Sequence, residues 1–284
     1  MAEQNNFNYL NLGELSDIDF HRLRTFIYDN FGINILPKKK YLLKNRLIKR
    51  LKELQMTSYK EYVDYVLHAN NGDEVYKMLT VVSTNKTDFF RELQHFEFIE
   101  QTAVPELTKN GHITINAWSA GCSSGQEAYS IAMVLQEEME KQNISDYTVY
   151  GNDISIDILD KAIKAVYPFE QAMHIPPGFR NKYLLKSKDK KNRRIRIAPE
   201  IRKKTHFLWL NLAQHEYPLP KNFHLIFCRN TLIYFDDKVK EKVIANLTGH
   251  LVQGGFLLIG HSESLINIKY TGLKQLSPTT FQKI

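Results

Sequence analysis

The sequence predicts an α/β protein in which a mostly parallel, doubly wound sheet follows an all-helical N-terminal region. From about residue 112 onward, apolar strand-like runs alternate with helical runs, which is the pattern of βαβ units. The first 80 or so residues show helical periodicity instead. A chain of 284 residues with 43% hydrophobic content is also long enough to form one large domain and a smaller one.

Capping signals divide the N-terminal region into helices. Ser16 precedes Asp19, and Ser58 precedes Glu61, at the spacing of a capping box, and Gly32 is placed as a C-cap. The sequence therefore predicts helices that begin after the two serines and one that ends before the glycine.

The second helix is predicted to begin at Pro37 and to be basic on its outer side. Its apolar residues recur every three or four positions and predict one buried face, made of Leu43, Leu47, Leu51 and Leu54. We expect Lys40, Lys44, Arg50 and their basic neighbours to face outward.

The second region contains strand-like runs separated by helical ones. The strand-like runs are ITINAW (113–118), YTVYGND (147–153), THFLWLNL (205–212), FHLIFCRN (223–230) and GGFLLIG (254–260), and helical patterns follow at QEAYSIAMVLQEEM, SIDILDKAIKA and near 236–251. Sheets of this kind bind ligands at the carboxyl ends of their strands. We therefore look for a site in the turns that follow these strands.

Charge is distributed unevenly along the chain. The formal net charge is +7, but residues 38–52 and 186–204 are both strongly basic, so the rest of the chain is acidic. Basic patches on an acidic body favour an anionic partner. Solvated lysine-rich surface is the other interpretation of each patch.

Cysteine content and hydropathy indicate a cytoplasmic protein. Cys122 and Cys228 lack the spacing of a disulfide framework or a zinc site. The N-terminus has no signal-peptide pattern, and no window approaches the roughly 20 apolar residues that span a bilayer. No metal-binding motif is present among the ten histidines.

The turn after the first strand, SAGCSSGQEA, indicates a ligand lying against the backbone. Gly121 and Gly125 bracket it, yet the sequence matches neither a phosphate-binding P-loop nor a dinucleotide fingerprint. Glu127 at the start of the helix suits a cationic group better than a phosphate. Asp153, at the end of the second strand, is placed to accept both hydroxyls of a ribose.

A nucleoside that carries positive charge and no phosphate fits both carboxylates, and S-adenosylmethionine has this chemistry. Asp153 has a second interpretation as the N-cap of the following helix. Ser155 is equally well placed for that role.

Six segments, in order, resemble the motifs of the CheR family of chemotaxis methyltransferases. They are STNKTDFFRE (83–92), WSAGCSSGQEAYSIAM (118–133), GNDIS (151–155), NL (211–212), FCRNTLIYFD (227–236) and GHSE (260–263). Gln126 and Ala128 depart from the residues that relatives often have, Glu and Pro, but the carboxylate of Glu127 is kept.

The resemblance implies a class I S-adenosylmethionine-dependent methyltransferase fold with a helical N-terminal domain and a small inserted β-subdomain. It implies a helical domain at 1–85, a methyltransferase domain at 86–284 and an insert around 180–205. The implied activity is methylation of glutamate side chains on chemoreceptors, with S-adenosylhomocysteine as the product. The implied cofactor contacts are Asn85, Thr87, Arg91, Glu127, Asp153, Asn211, Leu212, Asn230 and Thr231.

Arg91 and Tyr234 are the candidate catalytic residues. A carboxylate nucleophile is already ionised at neutral pH, so alignment matters more than a general base. Arg91 can hold either the cofactor's carboxylate or the substrate's. Tyr234 can offer its ring to a sulfonium and its hydroxyl to a carboxylate. A surface ion pair for Arg91 and a core position for Tyr234 are the structural alternatives.

The basic helix is the expected contact for the acidic, glutamate-rich helices of a receptor, with Lys40, Lys44, Arg46 and Arg50 as candidate substrate-binding residues. Some relatives dock a tethering peptide of the receptor on the inserted subdomain, which has a glycine-rich turn. The turn KSKDKKNRR has no glycine, so we expect independence from that peptide.

Three other functions remain open at this point. A basic methyltransferase can act on RNA or DNA, although the cysteines and motifs typical of those enzymes are missing. A hydrolase is disfavoured because GHSES lacks the closing glycine of a nucleophile elbow. A binding module without turnover is the third, and the presence of Arg91, Glu127, Asp153 and Tyr234 argues against it.

Overall fold

The computed structural model describes residues 13–68, 72–83, 85–189 and 191–284. The chain divides into two compact units, Met1–Thr84 and Asn85–Ile284. Among the described residues, no helix has the length and apolar character needed to cross a bilayer.

The first unit is helical, as predicted. A 3-10 turn at Pro37–Lys39 leads into the second helix, so Pro37 begins this turn and the α-helix itself starts three residues later. The helices are α1 (Asp17–Phe31), α2 (Lys40–Glu53), α3 (Tyr59–His68) and α4 (Gly72–Val82).

The predicted caps are confirmed. The hydroxyl of Ser16 accepts a hydrogen bond from the Asp19 amide at 3.0 Å, and that of Ser58 accepts one from the Glu61 amide at 3.2 Å. Gly32 ends α1 with φ of 69°, a left-handed conformation that favours glycine.

Helix α2 buries the predicted leucines Leu43, Leu47 and Leu51, while Leu54 is half-buried at the C-cap. The expectation that Arg50 faces outward is wrong, because only 6% of this residue is exposed. Its Nε and Nη2 atoms donate to Glu74 at 2.9 and 2.6 Å. Glu74, which lies on α4, supplies the negative charge that makes burial of the guanidinium tolerable.

The second unit is built on a seven-stranded sheet of order β6-β2-β1-β7-β8-β10-β9. The first five strands in this order are parallel, and β10 is antiparallel to both β8 and β9. These strands are β1 (Thr114–Ala120), β2 (Asp146–Asp153), β6 (Thr205–Trp209), β7 (Phe223–Cys228), β8 (Leu251–Ile259), β9 (Leu273–Ser277) and β10 (Thr280–Lys283).

Helices flank this sheet and precede it. A π-helical turn at Ile99–Ala103 connects α5 to α6. The helices are α5 (Gln94–Phe98), α6 (Val104–Lys109), α7 (Gln126–Glu140), α8 (Ile156–Lys164), α9 (Pro177–Tyr183), α10 (Pro199–Lys203) and α11 (Asp237–His250). Buried side chains from β1, β2, β7 and α7 form one continuous apolar core.

Register brings the carboxyl ends of the parallel strands together. Ala120 of β1 pairs with Asn152 of β2, and Ser119 pairs with Phe227 of β7. The turns that follow β1, β2 and β7 therefore emerge at the same edge of the sheet, as the sequence predicts for a ligand site.

A separate three-stranded antiparallel sheet, of order β3-β5-β4, forms the inserted subdomain. Its strands are β3 (Val166–Pro168), β4 (Leu184–Lys186) and β5 (Arg194–Ile197). The predicted range, around 180–205, contains β4 and β5 but omits β3, which lies earlier in the chain. A three-residue strand gives too little alternation to be recognised in the sequence.

The turn between β4 and β5 contains no glycine and is stabilised by hydrogen bonds from backbone amides to side chains. The Asp189 amide donates to the Ser187 hydroxyl at 3.0 Å, and the Lys191 amide donates to the Asp189 carboxylate at 2.8 Å. Such side-chain to backbone bonds stabilise tight turns.

Candidate active site

The glycine turn after β1 is held against the end of β2. The amides of Gly121 and Cys122 both donate to the carbonyl of Asn152, at 3.0 and 2.7 Å. Gly121 has φ of 84°, and a Cβ atom built on it would lie 2.3 Å from Oγ1 of Thr231. Only glycine fits here, because both the backbone angle and the neighbouring side chain exclude a larger residue.

Asp153 is fixed by two backbone amides. Its Oδ1 accepts from Ser155 at 2.9 Å and its Oδ2 accepts from Ser123 at 3.0 Å. Burial raises the pKa of this carboxyl, and the amide bonds oppose that rise. The N-cap of α8 is Ser155, whose hydroxyl accepts from Ile158 at 3.4 Å. Each oxygen of Asp153 keeps capacity to accept a further hydrogen bond.

Glu127 lies in the first turn of α7, where the helix dipole favours a negative charge. The Ser119 hydroxyl donates to its Oε1 at 2.6 Å, and Nη1 of Arg229 donates to its Oε2 at 3.1 Å. Burial raises the pKa of Glu127, while Arg229 and Ser119 act to lower it. The carboxylate is thus oriented through both of its oxygens.

Arg229 and Glu92 are functional candidates that the sequence analysis missed. The Arg229 side chain is 1% exposed and forms an ion pair with Glu92 at 3.0 Å as well as with Glu127. It also donates to the carbonyl of Arg91. The signal in the sequence was their position, because Glu92 ends the STNKTDFFRE segment and Arg229 lies in FCRNTLIYFD, two of the segments that carry the resemblance to the family.

Arg91 lies on a conformationally unusual turn. Phe90 and Glu92, on either side of it, have φ of 51° and 55°, angles that non-glycine residues adopt rarely. Phe90 is anchored because its amide donates to the Ser130 hydroxyl at 3.0 Å. The Arg91 side chain is exposed, and its Nη1 lies 3.5 Å from the carbonyl of Lys86. Unusual backbone of this kind is often concentrated at functional sites.

Tyr234 follows β7 on a short 3-10 helix, Leu232–Tyr234, and is half-buried. This segment is positioned by Glu263, another residue without a predicted role. The Glu263 carboxylate accepts from the amides of Asn230 at 2.8 Å, Gly260 at 2.7 Å and Ile233 at 3.3 Å. Asn230 itself has φ of 56°.

The remaining predicted residues surround the same edge of the sheet. The carbonyl of Asn85 accepts from the Ser123 hydroxyl at 3.1 Å, and Thr87 is half-buried on the same segment. Asn211 accepts from the Ala213 amide at 2.9 Å, and Leu212 is buried beside it, just after β6. Thr231 lies 3.3 Å from the carbonyl of Ala120 at the end of β1, through its Oγ1 atom.

One cluster near this site has metal-ligand residue types. The ligand atoms of Glu92, His95 and His261 lie within 4.8 Å of one another. However, the oxygen of Glu92 that faces both histidines already pairs with Arg229. Burial lowers the pKa of His95 to about 4, so this histidine is neutral. The positive charge of Arg229 disfavours a metal cation here.

Two family descriptions match almost the whole described chain. The "CheR methyltransferase, SAM binding domain" matches residues 85–281, and the "CheR methyltransferase, all-alpha domain" matches residues 18–83. The chain belongs to the CheR methyltransferase family.

Individual relatives agree with this assignment to the CheR family. A chemotaxis protein methyltransferase of Borreliella burgdorferi is 36% identical over 287 residues, covering 99% of both chains. The Escherichia coli chemotaxis protein methyltransferase is 30% identical, covering 90% of this chain and 87% of its own.

Solved structures also resemble parts of this CheR chain. One is a glycopeptide N-methyltransferase, MtfA, complexed with sinefungin, at 12% identity and a TM-score of 0.31, covering 56% of this chain and 48% of its own. Another is a Synechocystis magnesium protoporphyrin IX methyltransferase with bound SAH, at 17% identity and a TM-score of 0.31, covering 69% and 68%.

The chain is thus an S-adenosylmethionine-dependent methyltransferase of chemotaxis, and nothing supports the nucleic-acid alternative. Its residues fit the cofactor. The two carboxylates at the strand ends are oriented by donors and retain acceptor capacity. The turn between them is kept open by glycine, as a ligand close to the main chain requires.

Proposed function

We propose that this CheR methyltransferase acts as a protein-glutamate O-methyltransferase that esterifies glutamate side chains of chemoreceptors in the cytoplasm. The proposal rests on two oriented carboxylates at one edge of the sheet, Glu127 and Asp153. It also rests on the exposed side chain of Arg91, whose backbone carbonyl is held at the same site by Arg229. This arrangement supplies binding and charge control without a general base, as esterification of an ionised carboxylate needs.

Glu127 and Asp153 bind different parts of the cofactor in this proposal. Glu127 pairs with the ammonium group, and Asp153 accepts hydrogen bonds from the ribose hydroxyls. S-adenosylmethionine, when bound, would supply the methyl group: the carbon–oxygen bond to the carboxylate forms as the bond from the methyl carbon to the sulfonium sulfur breaks, and S-adenosylhomocysteine is released. The other proposed contacts are Asn85, Thr87, Arg91, Asn211, Leu212, Asn230 and Thr231.

Arg91 and Tyr234 control the reacting carboxylates. The exposed guanidinium of Arg91 offers a planar pair of donors to a carboxylate, either that of the cofactor or that of the substrate. Tyr234, half-buried at the end of β7, contributes its ring face and hydroxyl at the transfer position. Their role is to orient the reactants, which is the main source of rate when the nucleophile is already ionised.

The outer side of α2 is the proposed docking surface for the acidic receptor helix. Lys40 and Lys44 pair with Asp17 and Glu14 at 2.6 and 2.5 Å, but both acids are highly exposed, so these pairs exchange readily for another anion. Arg46 is half-buried and donates to the carbonyl of Val82. Arg50 is withdrawn from this surface because it is buried. The exposed lysines Lys38, Lys39, Lys49 and Lys52 replace its charge.

Independence from a tethering peptide also remains a proposal. The turn between β4 and β5 is formed by serine and aspartate side chains and is surrounded by exposed basic residues. Its chemistry thus differs from the glycine-rich turn of peptide-binding relatives. Removing the C-terminal tail of a receptor should leave its methylation rate unchanged.

The product distinguishes glutamate esterification from other methyl transfers. Purified protein is incubated with S-adenosylmethionine labelled in its methyl group and with fractionated cell extract, and each labelled product is then treated with mild alkali. We expect label on a membrane-associated protein that alkali releases as methanol, because a carboxyl ester is base-labile. Base-stable label on protein, or label in the RNA fraction, would contradict the proposal.

A further inference from the structure

Arg229 is buried at the edge of the sheet where the proposed cofactor-binding residues lie. It is not among the cofactor contacts that the resemblance to the family implies. We propose that Arg229 is a positioning residue for methyl transfer, which fixes the Glu127 carboxylate and the Arg91 turn in one arrangement. The inference rests on the proposed contact between Glu127 and the ammonium group of the cofactor.

The contacts of Arg229 use the fork geometry of a guanidinium. Nη1 donates to Glu127 at 3.1 Å, Nη2 pairs with Glu92 at 3.0 Å, and Nη2 also donates to the carbonyl of Arg91. The guanidinium carbon lies 5.8 Å from the ring centroids of both Phe96 and Phe227. Three acceptors and two aromatic rings therefore hold a side chain that is 1% exposed.

Through these contacts, Arg229 connects four separate chain segments. It extends from the end of β7 to the first turn of α7 at Glu127 and to the turn that presents Arg91. Glu92, in turn, accepts from the backbone amide of His261, just after β8, at 3.3 Å. Arg229 binds the carbonyl of Arg91 and the carboxylate of the next residue, Glu92, so it fixes the backbone on the C-terminal side of Arg91.

The electrostatic part of the inference concerns the ionisation of Glu127. The groups that act on it are Arg229, Arg91, Glu92, Cys122 and Cys228. Burial raises the pKa of both thiols well above the usual value, so they are neutral at physiological pH. Glu92 is negative: burial opposes its ionisation, but Arg229 holds its pKa below the usual value.

The sign of the pH effect follows from these groups. Burial already raises the pKa of Glu127, and Arg229 is the positive group in direct contact with it. Removing Arg229 therefore raises that pKa further. Because only the ionised carboxylate pairs with an ammonium, cofactor affinity should fall as the pH decreases, and this fall should begin at a higher pH in the variant than in the wild type.

The test is a calorimetric titration of the full chain with S-adenosylmethionine between about pH 6 and pH 8.5, in parallel with steady-state kinetics. We expect Arg229→Gln to bind the cofactor about tenfold more weakly at pH 7, because the Glu127 carboxylate loses the charged donor that orients it, and the loss should grow as the pH falls. Above about pH 8 the α-amino group of the cofactor itself loses its proton. The resulting fall in cofactor affinity at high pH should therefore be the same for the wild type and every variant.

Arg229→Lys separates charge from geometry. Lysine keeps the positive charge, so the pH dependence of cofactor affinity should return toward that of the wild type. A single ammonium on a flexible chain cannot reproduce the fork contacts to Glu127, Glu92 and the Arg91 carbonyl. We therefore expect kcat to remain about tenfold low, with KM for the cofactor nearly restored. If Arg229 only stabilised the fold, Arg229→Lys would not lower kcat while restoring KM for the cofactor.

Arg22→Gln is the matched control, because Arg22 also bridges two carboxylates, Asp19 at 3.1 Å and Asp64 at 2.7 Å, but lies in the helical unit. It should leave cofactor affinity and its pH profile unchanged. Circular dichroism melting establishes that each variant is folded. If Arg229→Gln does not fold, Arg229→Lys and Glu92→Gln replace it, with a lowered kcat expected in both.

Two failures are distinguishable. If Glu127→Gln binds the cofactor as tightly as the wild type, the proposed ammonium contact is wrong, and the inference falls with it. If Glu127→Gln weakens binding but folded Arg229→Gln keeps wild-type affinity, pH profile and kcat, the cofactor contact stands and the positioning role of Arg229 is overturned.

Discussion

Arg50 in the helical unit and Arg229 in the sheet unit are both buried arginines paired with carboxylates, but we assign them different roles: Arg50 stabilises the fold, and Arg229 positions site residues. Both form ion pairs with two carboxylates, and their side chains are 8% and 1% exposed. Around Arg50 the main partner is closed to solvent: Glu74 is 4% exposed, and the Tyr62 hydroxyl also donates to it at 2.9 Å. The second partner, Glu53, lies one turn further along the same helix, and its side chain is 45% exposed.

Both partners of Arg229 are less enclosed than Glu74. The side chains of Glu92 and Glu127 are 12% and 13% exposed and lie where the strands of a parallel sheet end. A buried arginine therefore does not by itself indicate a functional site. The difference lies in whether its accessible carboxylate partners lie at the ligand-binding edge of a sheet or on the surface of a helix, and the following predictions test that difference.

Removal of Arg50 should have the largest effect, and it should be an effect on stability. Arg50→Met leaves Glu74 buried without its cation, so we expect the free energy of unfolding of the helical unit to fall by about 3 to 5 kcal/mol. Chemical denaturation followed by circular dichroism measures this loss. Lys49→Met, which removes a charge that is 70% exposed on the same helix, is the control and should change stability little.

The comparison also requires that the two arginines differ in their effect on the cofactor. At a temperature where Arg50→Met remains folded, its affinity for S-adenosylmethionine should equal that of the wild type. A weakened affinity in this variant would contradict the separation between a structural cluster and a site cluster.

Arg91→Ala should reduce methyl transfer by about 100-fold or more, since it removes a charged donor pair from the reacting carboxylates. The side chain is exposed and its hydrogen bond to Lys86 is long, at 3.5 Å, so the melting temperature should hardly change. Initial rates with saturating cofactor measure the effect. Near-normal turnover of the purified variant would remove Arg91 from the mechanism.

Asp153→Asn should weaken cofactor binding by about tenfold, which corresponds to the loss of one hydrogen bond to a charged group. The amide keeps the size of the carboxylate but turns one acceptor oxygen into a donor, which conflicts with the amide of Ser123 or Ser155. Calorimetric titration measures the affinity. The matched control Asp157→Asn, on α8 and exposed, should bind normally.

Raising the salt concentration should have the smallest effect, and it should act on the substrate and not on the cofactor. Docking through the exposed lysines of α2 depends on screened attraction, which weakens over about 10 Å at 0.1 M salt. We expect KM for the receptor to rise about threefold between 0.05 and 0.3 M salt, while KM for S-adenosylmethionine stays nearly constant. Equal KM for the receptor at both concentrations would argue against docking through this surface.

Periodicity and turn chemistry were sufficient for much of the fold. The caps at Ser16 and Gly32 and the parallel strands before Gly121 and Asp153 follow from local patterns, which depend on residues within a few positions of each other. The hairpin of β9 and β10 was not predicted, since LKQLS and TFQK are short and mostly polar.

Long-range pairing explains what the sequence did not reveal. Arg50 looked like one more basic residue on an outer helix face because its partner Glu74 lies 24 residues away. Arg229 pairs with Glu92, 137 residues earlier. Glu263 accepts from the amides of Asn230 and Ile233, which lie 33 and 30 residues earlier in the chain. No local pattern encodes such contacts.

The central claim is that the carboxylate network at the strand ends serves esterification of receptor glutamates. The most direct test uses a receptor cytoplasmic fragment in two forms, one natural and one with its methylated glutamates replaced by glutamine, and locates the transferred methyl group by tandem mass spectrometry. We predict methyl esters on glutamate side chains of the natural fragment and none at the replaced positions. Methyl groups on other residue types, or equal labelling of both fragments, would contradict the claim.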